Sequence, residues 1–171
     1  MNIAQQDSSP LCLVFPFDGI LAARFNFIRT YDFSNVQRDI EREYRWDLGK
    51  VQTVTEQARA FYSCFLLSAP DEFLSPSPEV DKFWHAFILR TREYRAFCDQ
   101  AFGWFLDHFP EDDKTKLQIG LDSSKRLHQL LFGQDMHLSA FSASCIAPGC
   151  GGGGDCYGGT CAASLNMTQL Q

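Results

Sequence analysis

The segment "EVDKFWHAFILRTREYRAFCDQAFGWFLDHFP", residues 79–110, decides the fold class. Its first part spaces apolar side chains at i, i+3, i+4, i+7 and i+8, which is the period of one helix face. These side chains are Val80, Phe83, Trp84, Phe87 and Ile88. The same spacing returns from Tyr94 to Phe105, so we expect a second helix that ends before Pro110. The two helices are expected to turn back on each other near Arg90 and Thr91.

Helical periodicity continues on both sides of this segment. Ser34 is a candidate N-cap for a helix that repeats apolar side chains every four residues. Residues 51–67 form a longer apolar stripe, and residues 68–78 contain three prolines, which is typical of a connector. A last helix is predicted from about residue 112 to 132, with Gly133 as its stop.

The ends of the chain differ from its middle. Residues 11–31 are ambiguous, since "LCLVF" suits a short strand and the stretch from Ile20 to Ile28 suits a helix. Residues 139–171 hold seven of the twelve glycines and one charged side chain, Asp155. Such a stretch has little apolar surface to offset the entropy of ordering it. We therefore predict a flexible N-terminus (1–10), a compact all-α helical domain (11–134) and a flexible Gly/Cys-rich tail (135–171).

Composition limits the classes of partner. The net charge of −6 and the absence of a Lys/Arg run argue against nucleic-acid binding. No stretch approaches the ~20 apolar residues that span a bilayer. Pro16 and Asp18 interrupt the first apolar stretch, so a secretory signal is not expected. We expect a cytoplasmic protein with reduced thiols, whose partner, if it has one, is a protein; the oligomeric state is left open.

The order of motifs in the central third resembles that of the glycine-rich domain-containing protein family. The resemblance rests on V-D-x-F-W-H-x-F-I-L, T-x-x-Y, a cysteine, F-G and H-x-P, and on the Cys/Gly-rich tail. The matching positions are Asp81, Trp84, His85, Tyr94, Cys98, Phe102, Gly103 and His108. Where many relatives have a second histidine after W-H, this chain has Phe87, which weakens a metal site built on paired histidines. The resemblance implies a fold and no defined activity.

Three residues of this signature form a candidate centre. Asp81 and His85 are four positions apart, so they are neighbours on one helix face. They can ligate a metal, form a base dyad, or make a hydrogen bond that only fixes helix packing. His108 joins them if the two helices form a hairpin; alternatively, it interacts with the C-terminus of a helix. Cys98, Cys64 and Cys12 are expected to be small core residues.

Four tail cysteines form a second candidate site. Cys145, Cys150, Cys156 and Cys161 follow the spacing C-x4-C-x5-C-x4-C, which permits a metal site without the close C-x2-C pairs typical of one. Thiolates favour Zn²⁺, with copper or iron as alternatives. Metal binding would also supply the ordering energy that the tail lacks.

Three hypotheses of function follow. In the first, the tail binds a soft metal and the body is its scaffold, which makes the chain a metal-binding or protein-interaction module. In the second, the body is a folded recognition element and another enzyme modifies the tail. In the third, Asp81, His85 and His108 form the centre of a metal-dependent enzyme, with the tail as a lid or a fourth ligand. Catalysis is left open.

Overall fold

The computed structural model of the 171-residue chain describes residues 16–133 and the backbone of residues 161–162. Within these residues the fold consists of helices and one pair of two-residue strands. The elements are α1 (Gly19–Thr30), α2 (Ser34–Tyr44), α3 (Leu48–Cys64), α4 (Pro78–Leu89), α5 (Thr91–Ala101), β1 (Phe109–Pro110), α6 (Lys114–Phe132) and β2 (Cys161–Ala162). The predicted all-α class and compact helical domain are confirmed.

Side-chain caps define where several helices begin and end. Asp47, Ser77 and Asp113 each accept a backbone N–H from the first turn of α3, α4 and α6. Gly133 ends α6 in the left-handed conformation, as its position in the sequence predicts. The prediction that Ser34 is the N-cap of α2 was wrong by one residue. It is the first residue of α2, and its own backbone N–H is held by Asp32 at 2.9 Å.

Aromatic side chains fill the core between the helices. Helix α4 packs against α2, α3 and α5, while α3 also packs against α1, α2 and α6. The largest fully buried side chains are Trp84, Tyr62, Tyr94, Phe33, Phe61, Phe83, Phe87 and Phe97. Each such burial contributes on the order of 1.5–3 kcal/mol relative to exposure. Helix α4 is therefore held on three sides, which fixes the residues that it carries.

Helix α5 ends earlier than its apolar pattern predicts. It ends at Ala101, and Gly103 adopts a φ of 81°, a left-handed conformation that glycine tolerates. The chain then leaves the helix axis, so Phe105 is 41% exposed and Leu106 is buried instead. The prediction of a helix through Phe105 was wrong because periodicity does not register a single left-handed glycine. The connector between Ala101 and β1 runs back towards α4.

The N-terminal ambiguity is resolved in part. Residues 19–30 form α1, while the candidate strand at residues 11–15 lies outside the described residues. The predicted domain limits at 10/11 and 134/135 lie outside them as well. Across residues 16–133, no helix combines the length and the apolar character that crossing a membrane requires.

Candidate metal centre

Helix α4 presents Asp81 and His85 on one face. Pro78 at the first helical position and the Ser77 cap fix the start of the helix, and the Asp81 backbone N–H donates to the Ser77 carbonyl at 2.8 Å. Asp81 thus lies near the N-terminus of α4, where the helix dipole favours a carboxylate. His85 follows one turn later. Local structure alone accounts for this half of the centre.

A buried relay places the third residue, His108. The indole Nε1–H of Trp84 donates to the Tyr94 hydroxyl at 2.9 Å, and that hydroxyl donates to the Leu106 carbonyl at 2.6 Å. The connector is thereby tied to α4 and α5 two residues before His108. The His108 ring then packs edge-on against Trp84, with ring centroids 4.3 Å apart. The relay fixes both the backbone before His108 and the ring on which His108 rests.

The three side chains converge on one point. His108 Nε2 lies 3.2 Å from Asp81 Oδ1, and His85 Nδ1 lies 3.5 Å from Asp81 Oδ2. The two imidazole centroids are 4.5 Å apart. One ligand atom from each of the three residues lies within 4.8 Å of the other two. The predicted approach of His108 to His85 is therefore present in the fold.

The centre is buried on one side and accessible on the other. The side chains of Asp81 and His108 are 9% and 5% exposed, whereas that of His85 is 48% exposed. Partial burial is the main cause that lowers the pKa of His85, and His108 adds to it, while Asp81 and Glu43 oppose the shift. A lowered pKa favours the neutral imidazole, which is the form that binds metals.

Two side chains at the end of α2, Glu43 and Tyr44, interact electrostatically with the centre. Burial is the main cause that raises the pKa of Tyr44 to about 12, with Glu43 and Asp81 contributing. Lys82 of α4 lies over the Tyr44 ring, with its Nζ 5.1 Å from the ring centroid. The sequence did not indicate this neighbourhood, because nothing local relates the end of α2 to the start of α4.

The arrangement suits two kinds of chemistry. One carboxylate and two imidazoles can hold a divalent ion, or Asp81 can hold the two histidines by hydrogen bonding alone. The alternative that His108 interacts with the C-terminus of a helix is wrong. It lies in the connector well past the end of α5 at Ala101, and its ring nitrogen faces Asp81.

The cysteines separate into core and tail. Cys64 and Cys98 are fully buried free thiols, as predicted for core residues. Cys161 begins β2 and pairs with Pro110 in an antiparallel ladder. The other candidate tail ligands and the third core candidate lie outside the described residues: Cys145, Cys150, Cys156 and Cys12.

The relay that positions His108 is not apparent from the sequence. The sequence marks Tyr94 and Trp84 only as signature positions and core side chains, and both are fully buried. The hint available in the sequence was chemical, since a buried tyrosine hydroxyl and a buried indole N–H each need a partner. Their pairing with each other and with the Leu106 carbonyl depends on where α5 ends, which the apolar pattern mispredicted.

Comparison with known proteins assigns the chain to a family. No curated protein and no solved structure matches it. A family match covers residues 23–135, well over half of the chain, and spans the whole candidate centre. The chain belongs to the UCP032817-like family.

Proposed function

We propose that this protein is a metal-binding module whose helical body holds a divalent transition-metal ion between Asp81, His85 and His108. The observation that carries the proposal is the convergence of three ligand atoms from α4 and the α5–β1 connector within 4.8 Å of one another. Zinc is the first candidate for the ion, with copper and iron as alternatives.

The distances between the ligand atoms suit one ion. Donor atoms bound to tetrahedral zinc at about 2.0–2.1 Å are separated by roughly 3.3 Å. The two Asp81 oxygens lie 3.2 and 3.5 Å from His108 Nε2 and His85 Nδ1, respectively. Small side-chain rotations would bring the three residues around an ion. The relay from Trp84 through Tyr94 to Leu106 would hold the His108 backbone in place while this happens.

The donor set and its burial support a transition metal. Imidazole nitrogens suit zinc, copper and iron, whereas calcium and magnesium prefer sites made of oxygen alone. The exposed side chain of His85 gives an ion and its water access to the buried carboxylate of Asp81. Three protein ligands with a fourth position for water are typical of catalytic zinc, so a metal-dependent enzyme is the alternative for the same centre.

The remaining hypotheses stay as predictions from the sequence. Soft-metal binding by the tail cysteines alone, modification of the tail by another enzyme, a protein partner and a cytoplasmic location rest on composition and spacing. The resemblance to glycine-rich domain-containing proteins likewise rests on the sequence alone. The proposed metal centre does not depend on any of them.

The test is zinc affinity in the full-length reduced protein, measured by competition with a chromophoric chelator. His85→Gln is the most informative variant, because His85 is half exposed and its loss should leave the core intact. We expect the affinity of the helical site to fall by more than the roughly 10–100-fold that loss of an outer-sphere partner costs. Asp81→Asn should have a comparable effect.

The matched control is His128→Gln, which replaces a histidine on α6 outside the centre. It should bind zinc as the unmodified protein does. Circular dichroism of each variant separates loss of ligation from loss of fold. Unchanged zinc affinity in folded His85→Gln and Asp81→Asn would show that the three residues form only a hydrogen-bonded cluster, and the proposal would be wrong.

A further inference from the structure

We propose that the cleft between α1, α3 and the end of α6 binds a small organic acid, a monocarboxylate with an apolar body about the size of one ring. Helix α1 contributes Phe25 and Arg29 to the lining, α3 contributes Arg59 and Ala60, and α6 contributes Phe132. The three residues of the candidate metal centre do not line this cleft. The inference therefore goes beyond the proposed function and does not depend on it.

Part of the lining is apolar. The rings of Phe25 and Phe132 pack with their centroids 6.3 Å apart, and Ala60 adds a methyl group to the same lining. The cleft has a volume of about 160 Å³. An apolar cavity of about 150 Å³ in another protein holds a benzene molecule. The volume therefore suits one six-membered ring or a branched chain of similar size.

The guanidinium of Arg59 is held in a fixed position in the lining. Its Nη1 and Nη2 donate to the carbonyls of Ile28 and Tyr31 at 2.7 and 2.8 Å, and its Nε donates to Glu56 Oε1 at 3.2 Å. A guanidinium has five N–H groups, so the other two have no acceptor within residues 16–133. The side chain of Arg59 is 15% exposed, whereas that of Glu56 is 63% exposed. A largely buried cation whose carboxylate partner lies mostly in water would gain from a second anion.

Arg29 supplies a second guanidinium, on the open side of the cleft. It is exposed, and within residues 16–133 its side chain makes no hydrogen bond or ion pair. Two guanidinium groups and the Glu56 carboxylate give the lining a net charge of +1, opposite in sign to the net charge of −6 of the chain. A carboxylate matches the planar fork of a guanidinium, and a single carboxylate neutralises the excess charge. Together with the apolar part of the lining, this favours a ring-bearing monocarboxylate over inorganic phosphate.

Titration of the isotope-labelled full-length protein with phenylacetate, followed by amide NMR shifts, tests this inference. We expect saturable shifts at Phe25, Ala60 and Phe132. Phenylacetamide, which has nearly the same shape and no charge, should bind at least about tenfold more weakly, because it cannot accept charge-assisted hydrogen bonds. Arg29→Gln should weaken phenylacetate binding by a similar factor. The matched control Arg92→Gln replaces an exposed arginine on α5 and should bind phenylacetate as the unmodified protein does.

Several outcomes would overturn the proposal. Equal binding of phenylacetamide or unchanged binding in Arg29→Gln would show that the guanidinium groups do not recognise a carboxylate. Binding of acetate or inorganic phosphate as tight as that of phenylacetate would show that the apolar lining makes no contribution. The absence of saturable shifts at the cleft would show that it binds no such acid.

A further variant separates the cleft from the candidate metal centre. His85→Gln should bind phenylacetate with unchanged affinity, because His85 does not line the cleft. Loss of phenylacetate binding in this variant would show that the carboxylate binds at the metal centre, and the proposal for the cleft would be wrong. Failure of the protein to bind zinc would refute the proposed function and leave the cleft proposal standing.

Discussion

The relay through Tyr94 gives the sharpest test of how the fold positions the centre. The Tyr94 hydroxyl accepts from Trp84 Nε1 at 2.9 Å and donates to the Leu106 carbonyl at 2.6 Å, and all three residues are buried. Tyr94→Phe keeps the ring and removes only this oxygen. Two buried polar groups then lose their partner, at about 1–3 kcal/mol for each. We expect the free energy of unfolding to fall by roughly 2–6 kcal/mol.

Zinc binding should weaken in the same variant. Leu106 precedes His108 by two residues, and the His108 ring packs against Trp84. Loss of the relay should therefore leave the buried His108 side chain less firmly positioned. Loss of such outer-sphere support typically costs 10–100-fold in metal affinity, and we expect a decrease of about that size. Urea unfolding without metal and chelator competition with zinc measure the two effects separately.

Tyr62→Phe is the matched control. Tyr62 is fully buried in the same aromatic core, and among residues 16–133 its hydroxyl has no hydrogen-bond partner. Removing that oxygen relieves an unsatisfied buried group, so stability should stay the same or rise, and zinc affinity should not change. Equal stabilities and equal zinc affinities for the Tyr94 and Tyr62 variants would refute the reasoning that the relay positions His108.

Three further predictions concern the helical body. Gly120→Ala should destabilise the protein by about 1–3 kcal/mol in urea unfolding, because the added Cβ would lie 2.6 Å from Phe73 Cδ1. Unchanged stability would mean that the Phe73 ring moves away at no cost. Arg59→Met should lower the free energy of unfolding by about 2–4 kcal/mol, since the guanidinium donates to the backbone carbonyls of Ile28 in α1 and Tyr31 just after α1, at 2.7 and 2.8 Å. A loss below about 1 kcal/mol in urea unfolding would contradict this. Burial raises the pKa of Cys98 to about 11 and that of Cys64 still further, so both thiols should resist iodoacetamide until the protein is unfolded. Peptide mass spectrometry checks this, and rapid labelling of either thiol in the native protein would contradict it.

Periodicity predicted the helices well where packing and capping agree. The apolar stripe of α4 and the stop at Gly133 are local features, and the structure reproduces both. The end of α5 could not be predicted in the same way, because Phe105 continues the apolar stripe while Gly103 breaks the backbone. A single positive φ, stabilised by tertiary contacts of the following connector, outweighed the pattern.

The candidate centre was predictable only in part. The four-residue spacing of Asp81 and His85 places them on one face of any helix, so that pair is a local property. The approach of His108 depends on the early end of α5 and on the Tyr94 relay, which are tertiary features. The pairing of Cys161 beside the same connector spans an even longer separation in the sequence. Patterns of residues a few positions apart carry no information on such contacts.

Anomalous diffraction from zinc-loaded crystals of the full-length protein tests the central claim most directly. Data collected on both sides of the zinc absorption edge locate the ion without reference to any assumed site. The proposed function predicts one strong peak about 2.0–2.2 Å from a carboxylate oxygen of Asp81 and from ring nitrogens of His85 and His108. A peak elsewhere, with these three side chains still joined by hydrogen bonds, would contradict it.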